Sequence, residues 1–377
     1  MTEIHGFCSD RFSAVRDAFH ANFEFQGDVG ASVAITLDGE LVVDIWGGHT
    51  TPERTTEWQE DTLVNVWSTT KTMAALCMLV LADRGQIDLD APVAKYWPEF
   101  AANGKDGVLV RHVMAHTAGL SGWEQPMATT DLFDWELATS RLAAQAPWWE
   151  PGTQSGYHAI TQGYLEGEIL RRVTGTSLGK FFAAEIAGPL GADFYIGLPE
   201  SEDHRVAPVI PPAQALPPEI DPESVAWRSF SNPMMSAEMA LEPGWRRAEI
   251  PAANGQGNAR SVATVQSVIA GGGEARGVRL LSEATVARIF EEQSFATDLV
   301  LGLPVRLGIG YGLNSSATPL SPNERTCFWG GWGGSIVVND LDAKMTVAYM
   351  MNRMGDGTLG DLRGAAIVFA AHASLAG

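Results

Sequence analysis

The sequence is short of cysteine, of positive charge and of long apolar runs. Its three cysteines, Cys8, Cys77 and Cys327, are odd in number and far apart, which predicts neither a disulfide framework nor a metal-binding knuckle. Lys and Arg number 25 against 45 Asp and Glu, and the resulting charge of −20 disfavours nucleic acid or an anionic membrane as the partner. The longest apolar run, 73–82, is too short to span a bilayer, and residues 1–5 lack the basic start of a signal peptide. We therefore expect a soluble, acidic, cytoplasmic protein that uses no metal and no cofactor.

The chain is nevertheless apolar enough to fold. Hydrophobic residues make up 45% and charged residues 19% of the sequence, a composition typical of globular proteins rather than disordered ones. A length of 377 residues predicts one large domain or two domains that share a core.

Strand patterns lie at the two ends of the chain and helical patterns in the middle. Residues 31–37 and 40–46 flank Asp38-Gly39, which is a strong short-range signal for a β-hairpin. The patterns after residue 260 predict a Ser-led helix at 261–270, a helix from Ser282, strands at 308–313, 326–329, 335–338 and 344–351, and a last helix at 362–374. The economical arrangement is an α+β fold whose antiparallel sheet combines both chain ends, is flanked by helices and carries an inserted, mainly helical subdomain.

This arrangement predicts a division into two subdomains. We expect residues 1–75 and 255–377 to form the sheet subdomain and residues 76–254 to form the helical one. The active site is expected at their interface.

Two helices and one connection are predicted in more detail. Apolar residues at helical spacing from Ser9 to Phe23 predict a helix with Ser9 as its N-cap. Residues 71–84 are apolar nearly all round, which predicts a helix buried at the centre of the molecule and ended by Gly85. The proline-rich segment 208–222 is typical of a long surface connection.

Two local motifs resemble catalytic signatures but favour structural interpretations. Gly-Thr-Ser-Leu-Gly at 175–179 matches a nucleophile elbow, yet a helical pattern precedes it, so Ser177 is interpreted as the N-cap of the next helix. His112 and His116 share a helical face, but the glutamate base and a third ligand are missing, so no zinc site is expected. We interpret His116 as a structural histidine at a helix end.

The third motif is Ser-Thr-Thr-Lys at 68–71. Residues three apart share a helical face, so the Ser68 hydroxyl and the Lys71 amine can meet at a helix start, where partial positive charge favours a developing anion. The motif alone is weak, because a lysine at a helix end can also extend its amine to solvent. Lys71 nevertheless opens the most apolar helix of the sequence, where an unpaired ammonium is costly. It therefore needs a partner.

Two further segments of the chain carry candidate site residues. Residues 151–157 form a Gly-marked turn before a predicted helix, where Tyr157 can point its hydroxyl into a cleft, although a lone tyrosine is more often a core residue. Residues 328–335 contain four glycines in a strand context, which is typical of close approach by a ligand or another backbone.

The order of these three motifs resembles that of class C β-lactamases, DD-peptidases and family VIII carboxylesterases. The resemblance covers most of the chain: His-Thr-Ala-Gly-Leu at 116–120 is similar to the family's His-Thr-Ser-Gly-Leu, and Arg-Val-Thr-Gly at 172–175 follows as in relatives. It implies a β-lactamase/transpeptidase-like fold and a serine hydrolase that forms an acyl-enzyme.

The same resemblance implies residue roles. Ser68 would be the nucleophile, Lys71 would keep the local field positive, and Tyr157 would be the general base, with its pKa lowered by the cationic neighbour. The oxyanion hole would be formed by the backbone N–H groups of Ser68 and Trp332. Which of Lys71 and Tyr157 accepts the first proton is left open. The residues expected to bind substrate or the oxyanion on the late strand are Trp329, Gly330, Gly331 and Trp332.

The sequence departs from the β-lactam-cleaving relatives at two places. Those relatives carry Tyr-x-Asn where this chain has Tyr-His-Ala at 157–159, so Ala159 replaces the asparagine. They carry Lys-Thr-Gly or His-Thr-Gly where this chain has Trp-Gly-Gly at 329–331. The resemblance implies that the missing side chains hold the amide and carboxylate of a lactam or peptide. Trp-Gly-Gly is similar to the family VIII carboxylesterases specifically. The tryptophans expected to make an uncharged cleft for a neutral ester are Trp67, Trp329 and Trp332, with Trp148 and Trp149 either lining it or in the core.

We therefore expect a serine carboxylesterase that acts on small to medium esters, with no nucleic-acid or membrane partner. Two alternatives stay open. The same Ser-Lys-Tyr machinery could serve a β-lactamase, an amidase, a D-peptidase or an acyltransferase. A penicillin-binding relative that forms an adduct without turnover is the other.

Overall fold

The computed structural model describes residues 2–212 and 221–376, and the element bounds are as follows. The strands are β1 (Ile4–Cys8), β2 (Gly30–Leu37), β3 (Glu40–Gly48), β4 (Leu63–Asn65), β5 (Val206–Ala207), β6 (Gln256–Gly257), β7 (Glu274–Ala275), β8 (Val278–Arg279), β9 (Ser294–Thr297), β10 (Pro304–Leu307), β11 (Gly312–Leu313), β12 (Thr326–Gly330), β13 (Ile336–Asp340) and β14 (Met345–Met351). The α-helices are α1 (Ser13–Phe25), α2 (Thr70–Asp83), α3 (Val110–Met114), α4 (Trp135–Ala144), α5 (Thr161–Thr174), α6 (Leu178–Phe182), α7 (Gly188–Leu190), α8 (Val225–Ser231), α9 (Pro243–Arg247), α10 (Ala259–Ala270), α11 (Glu283–Arg288) and α12 (Leu362–Ala376).

The main sheet joins the two ends of the chain, as the sequence predicts. Its nine antiparallel strands run in the order β1-β3-β2-β14-β13-β12-β11-β10-β9. The hairpin of β2 and β3 turns at Asp38 and Gly39, both with positive φ, which is the conformation that an Asp-Gly turn adopts. The α+β fold with a sheet built from both chain ends is confirmed.

Helices cover both faces of the sheet, and the side chains of β14, which point to the two faces in turn, contact a helix on each. Thr346 bonds to Asn339, which in turn donates to Gln266 of α10. Tyr349 points to the other face, where it packs against Gly364 of α12. Because both faces are buried, β14 is a nearly continuous apolar run rather than an alternating one.

Helix α2 is buried along its length, as its composition predicts. All residues from Thr70 to Leu81 are buried, and the helix packs against α5, α6, α10 and α11. Gly85 follows it with φ of 67°, a left-handed conformation that glycine adopts at low cost after a helix end. The site residues at the start of α2 are therefore held by the core of the molecule.

Two predicted helix starts are wrong. Ser9 makes no side-chain capping bond, because a 3-10 turn at Asp10–Phe12 separates it from α1. The helix predicted at 261–270 begins earlier, since Asn258 caps α10 by accepting the N–H of Ser261.

The single strand predicted at 308–313 is also wrong. The chain leaves the sheet after Leu307 and returns at Gly312. Between them Gly310, with φ of 83°, lies so close to Ala75 of α2 that a Cβ atom would come within 2.7 Å. Contact with the buried helix therefore replaces strand pairing over this turn.

Some predictions stay untested. Part of the proline-rich connection predicted at 208–222 lies outside the described residues, since these omit 213–220. The subdomain division stays a prediction, and so does the cytoplasmic location. Over the part of the chain that the structure describes, no helix combines the length and apolarity needed to cross a bilayer.

Candidate active site

Ser68 lies where a short strand meets the buried helix. β4 ends at Asn65, a 3-10 turn occupies Trp67–Thr69, and α2 follows directly. Trp67 has φ of 48°, which is uncommon for a residue with a side chain. Backbone strain of this kind is found where the surrounding structure imposes a geometry, often at functional sites.

The neighbours of this strained turn hold it in place. The Trp67 ring packs between those of Trp245, 5.7 Å away, and Trp332, 5.0 Å away. The Ser335 hydroxyl donates to the carbonyl of Val66 at 2.9 Å. The turn that carries Ser68 is thus fixed to the loop between β12 and β13.

The three residues predicted to form the reactive centre come together. The Tyr157 hydroxyl donates a hydrogen bond to Ser68 Oγ at 2.5 Å. Lys71 Nζ lies 3.1 Å from Ser68 Oγ and 4.8 Å from the centroid of the Tyr157 ring. Although the tyrosine is 89 positions from the serine in the chain, it directly contacts the hydroxyl.

Lys71 is buried, and its amine is bonded to backbone oxygens. Nζ donates to the carbonyls of Ala159, at 2.7 Å, and Ala252, at 2.9 Å. Burial lowers the pKa of Lys71 well below its usual value, with the charge of Glu166 acting in the opposite direction. At a given pH, a larger fraction of Lys71 is therefore in the neutral amine form than of a surface lysine.

The pKa of Tyr157 is shifted in the direction opposite to the expected one. Burial raises the pKa of the phenol above its usual value, and its contact with Ser68 opposes this only in part. The expectation that Lys71 lowers it is wrong, because desolvation dominates and the lysine itself favours its neutral form. The phenol is thus a proton donor to Ser68 Oγ at neutral pH.

Two buried histidines fix the turn that carries Tyr157. The backbone N–H of His158 donates to Nδ1 of His116 at 3.1 Å. The backbone N–H of Leu120 donates to Nε2 of His158 at 3.0 Å. Burial lowers the pKa of His158 to about 3 and that of His116 well below its usual value, so both rings are neutral acceptors. His116 follows α3 and is buried, as a structural histidine at a helix end would be.

Asp298, which no sequence motif marks, contacts the same turn. Its carboxylate is buried, and Oδ1 accepts the N–H of Tyr157 at 2.9 Å. The two residues are 141 positions apart, and no local pattern around Asp298 marks it, so only the tertiary structure reveals the contact.

The glycine-rich loop reaches the nucleophile through Gly331. A Cβ atom there would lie 2.4 Å from the carbonyl oxygen of Val66 and 3.2 Å from the Ser68 nitrogen, so only glycine permits this approach. Among the described residues, no group accepts a hydrogen bond from the N–H of Ser68 or of Trp332. Both amides that were expected to form the oxyanion hole are therefore available.

Trp329 lies behind the reactive centre. It is 2% exposed, and its ring is 5.7 Å from that of Tyr157 and 5.2 Å from that of His116. The next residue, Gly330, packs against the backbone of Leu359, where a Cβ atom would come within 2.3 Å. Both residues thus belong to the support of the site.

A cavity of about 730 Å³ opens onto Ser68 and Tyr157. Two of the predicted tryptophans, Trp67 and Trp332, line it. Its apolar wall includes Phe230, Met235, Val300, Leu301, Leu303, Val305 and Leu359. Within the described part of the lining, Asp221 is the one charged side chain. The cavity therefore favours uncharged, apolar groups.

Trp148 and Trp149 do not belong to this lining. The Trp148 indole donates to Glu124 at 2.8 Å and lies under the guanidinium of Arg228, 4.0 Å from the ring centroid. The Trp149 indole donates to the carbonyl of Gln154 at 2.9 Å. Each ring is only partly buried, so neither the cleft nor the core interpretation holds for them.

Glu166 is a further buried acid that the sequence did not single out. It lies on α5, is 1% exposed, and neither carboxylate oxygen has a hydrogen-bond partner among the described residues. Burial raises its pKa to about 8, with Lys71 acting in the opposite direction. At neutral pH the carboxyl group therefore keeps its proton.

The rejected nucleophile elbow lies outside the cavity lining. Ser177 occupies the N-cap position of α6 as predicted, but its side chain makes no capping bond. Its hydroxyl donates to Glu249 at 2.6 Å, and the same carboxylate accepts the N–H of Gly179 at 2.7 Å. The capping acceptor is thus Glu249 rather than the serine.

The chain is similar to known proteins over most of its length. The chain matches the beta-lactamase family over residues 16–372. The esterase/beta-lactamase LipL of Mycobacterium tuberculosis is 36% identical over 93% of this chain and 83% of its own length.

Two solved structures are similar over nearly the whole chain. A family VIII carboxylesterase is 44% identical with a TM-score of 0.93, and a penicillin-binding protein homologue from Caulobacter crescentus is 39% identical with a TM-score of 0.91. Each match covers 99% of this chain and 100% of the other. The chain therefore belongs to the beta-lactamase family and is a hydrolase with the β-lactamase/transpeptidase-like fold.

Proposed function

We propose that this protein is a serine carboxylesterase that cleaves small to medium neutral esters through an acyl-enzyme on Ser68. The observation that supports this most is the contact of Ser68 Oγ with both Tyr157 and Lys71 at the end of an apolar cavity. The esterase names of similar proteins point the same way.

Acylation begins with the transfer of the Ser68 hydroxyl proton to Lys71. Lys71 Nζ lies 3.1 Å from Ser68 Oγ and donates to the carbonyls of Ala159 and Ala252. In the neutral amine these two carbonyls take both N–H groups, so the Ser68 hydroxyl becomes the donor and the amine lone pair the acceptor. Lys71 is assigned as the acceptor because burial favours its unprotonated form, whereas burial raises the pKa of Tyr157 and keeps its hydroxyl protonated. The resulting alkoxide attacks the ester carbonyl carbon and forms the tetrahedral intermediate.

Collapse of that intermediate releases the alcohol. The oxyanion accepts from the N–H groups of Ser68 and Trp332, each such donor lowering the barrier by about 3–4 kcal/mol. The departing alkoxide takes the proton of the Tyr157 hydroxyl, and Lys71 restores that proton. In deacylation a water molecule gives a proton to Lys71 as it attacks the acyl carbon, and Lys71 passes that proton to Ser68 Oγ as the acid leaves.

The neutral ester is favoured over a lactam or peptide because groups that would hold their polar ends are missing. Ala159 offers no side-chain donor to an acyl-amide, and Trp329 offers no charge to a carboxylate. Arg363 is buried in ion pairs with Asp28 and Asp361. It is therefore occupied and cannot take a substrate anion.

The test compares p-nitrophenyl butyrate with a chromogenic cephalosporin under matched conditions. We expect the ester to be cleaved faster, and Ser68→Ala and Tyr157→Phe each to abolish turnover. Ser177→Ala is the matched control, and we expect it to retain turnover and lose about 1 kcal/mol of stability with its hydrogen bond to Glu249. Loss of activity in a folded Ser177→Ala protein would show that the nucleophile is misassigned.

A β-lactamase is the second candidate, supported by the double name of LipL. Faster turnover of the cephalosporin would establish it in place of the esterase. A binding protein without turnover would instead show a persistent adduct on Ser68 by intact mass spectrometry and no released product.

A further inference from the structure

The Asp298 carboxylate ties two separate turns together at the active site. Its Oδ1 atom accepts the N–H of Tyr157 at 2.9 Å, that of Val300 at 2.9 Å and that of Leu301 at 3.0 Å. The residue is 1% exposed, so these bonds are shielded from water. A carboxylate acceptor makes stronger bonds to amides than a neutral oxygen does.

A further backbone bond joins the same two turns. The N–H of Leu299 donates to the carbonyl of Ser155 at 2.9 Å. One of the joined segments carries Tyr157, whose hydroxyl contacts Ser68 Oγ, and the other carries Val300 and Leu301, which line the cavity. The turn that bears the phenol and the wall that meets the substrate are therefore one hydrogen-bonded unit.

We propose that Asp298 is a positioning residue that holds the Tyr157 hydroxyl against Ser68. This inference rests on the proposed role of Tyr157. Removing the acceptor leaves two buried N–H groups, of Tyr157 and Val300, and the part-buried N–H of Leu301 unpaired, which is costly enough that the turns must shift to regain partners. A shift of about 1 Å in a reacting group can lower a catalytic rate about 100-fold.

The experiment measures kcat and KM for p-nitrophenyl butyrate with Asp298→Ala and Asp298→Asn. We expect Asp298→Ala to lower kcat about 10- to 100-fold with KM changed less than about threefold. Asp298→Asn keeps an oxygen acceptor and should recover most of that loss. An unchanged kcat in folded Asp298→Ala, or equal losses in both variants, would overturn the proposal.

Asp83→Ala provides the matched control. Asp83 Oδ1 also accepts three hydrogen bonds, from the N–H and the hydroxyl of Ser282 and from the hydroxyl of Thr285, but it lies at the far end of α2. We expect this variant to lose thermal stability and keep kcat. If it loses kcat as Asp298→Ala does, general destabilisation explains both, and the proposal is wrong.

A double variant separates this inference from the proposed function. The rate at which diethyl p-nitrophenyl phosphate labels Ser68 is followed by intact mass in Tyr157→Phe with and without Asp298→Ala. Because Asp298 acts through the phenol, adding its substitution should slow labelling no further. If the labelling rate of the double variant fell by the product of the two single-variant losses, the result would contradict that coupling. Wild-type labelling by Tyr157→Phe alone would instead refute the role of Tyr157 itself.

Discussion

Lys71 and Tyr157 are both buried beside Ser68, and burial acts on their pKa values in opposite directions. The pKa of the lysine is lowered and that of the tyrosine is raised, so desolvation favours the neutral form of each. A neutral pair supplies one lone pair and one hydroxyl proton to the same Ser68 oxygen. The residues can then accept and return a proton without a persistent buried charge.

The pH dependence of activity follows from Lys71. As pH falls through its pKa the amine becomes protonated and can no longer accept the Ser68 proton, so kcat/KM should fall on the acid side of a midpoint well below 10.5. Lys71→Arg, which stays protonated, should lower kcat/KM about 10²- to 10⁴-fold at every pH. A pH profile of the wild-type protein whose midpoint matches a surface lysine would contradict this assignment.

The stability of the protein should depend on pH through Glu166. Its pKa is about 8 in the folded state against 4.5 for an exposed glutamate, so between these values only the unfolded chain releases the proton. The free energy of unfolding contributed by this group therefore falls as pH rises from 4.5 to 8, and Glu166→Gln removes that loss. We expect the variant to gain stability relative to wild type by at most about 5 kcal/mol across this window, measured by urea unfolding at both ends.

Glu168, on the same helix, provides the opposite control. Burial alone would raise its pKa, but hydrogen bonds from Arg171, Trp135 and Arg172 bring it below the usual value. The contribution of ionised Glu168 to the free energy of unfolding is present at neutral pH and is lost as pH falls through the folded-state pKa. We therefore expect Glu168→Gln to be destabilising at neutral pH and less destabilising in acid. A relative stability of Glu166→Gln that is the same at pH 4.5 and 8 would contradict the account given for Glu166.

At the scale of elements, the site is built where short, irregular segments meet one regular helix. Ser68 itself lies on the 3-10 turn before α2. Two further segments, the loop between β12 and β13 and the turn before α5, each contribute one group near it. Their positions are set by contacts between segments, such as Ser335 with Val66 and His158 with His116. Helix α2 supplies Lys71 and part of the rigid frame, and the irregular segments supply the other groups at the site.

Gly331 tests this arrangement. In Gly331→Ala the new methyl group would lie 2.3 Å from Ser335 Oγ and 2.4 Å from the Val66 oxygen, so the loop must withdraw from Ser68. We expect kcat to fall at least about 10-fold, as the loss of an oxyanion donor would cause, with about 1–3 kcal/mol of destabilisation. Gly107→Ala, which meets nothing within 4 Å, is the control and should behave as wild type in both assays.

At the scale of the whole molecule, charge and cavity favour the same substrates. The chain carries a formal charge of −20, and the described cavity lining contains one acidic and no basic side chain. Both disfavour an anionic substrate, the first over a long range and the second at contact. A neutral ester avoids both penalties.

This selectivity can be measured with two esters of similar size. We expect p-nitrophenyl butyrate to have a kcat/KM about 10-fold or more above that of p-nitrophenyl hemisuccinate at low ionic strength. The difference should narrow as salt rises, because the Debye length shortens to about 10 Å at 0.1 M. Preference for the hemisuccinate would instead indicate a carboxylate-binding site of the kind that lactam-cleaving enzymes use.

Features that depend on near neighbours in the chain could be predicted from the residues alone. The Asp-Gly hairpin, the buried helix at 71–84 and the pairing of Ser68 with Lys71 on one helical turn are local, because propensity and periodicity act over a few residues. The sequence did not predict the edge strands Ile4–Cys8 and Ser294–Thr297. Their side chains do not alternate strictly between buried and exposed, so the usual strand pattern is missing.

The packed fold was needed to show which distant groups contact the reactive centre and which protonation states burial favours there. Asp298 meets Tyr157 across 141 positions, a contact that no local pattern encodes. The pKa values of Tyr157 and Glu166 rise because of desolvation, which depends on how completely the whole fold excludes water around each group. Motif order along the chain could therefore predict which residues meet at the candidate site, whereas their protonation states required the packed molecule.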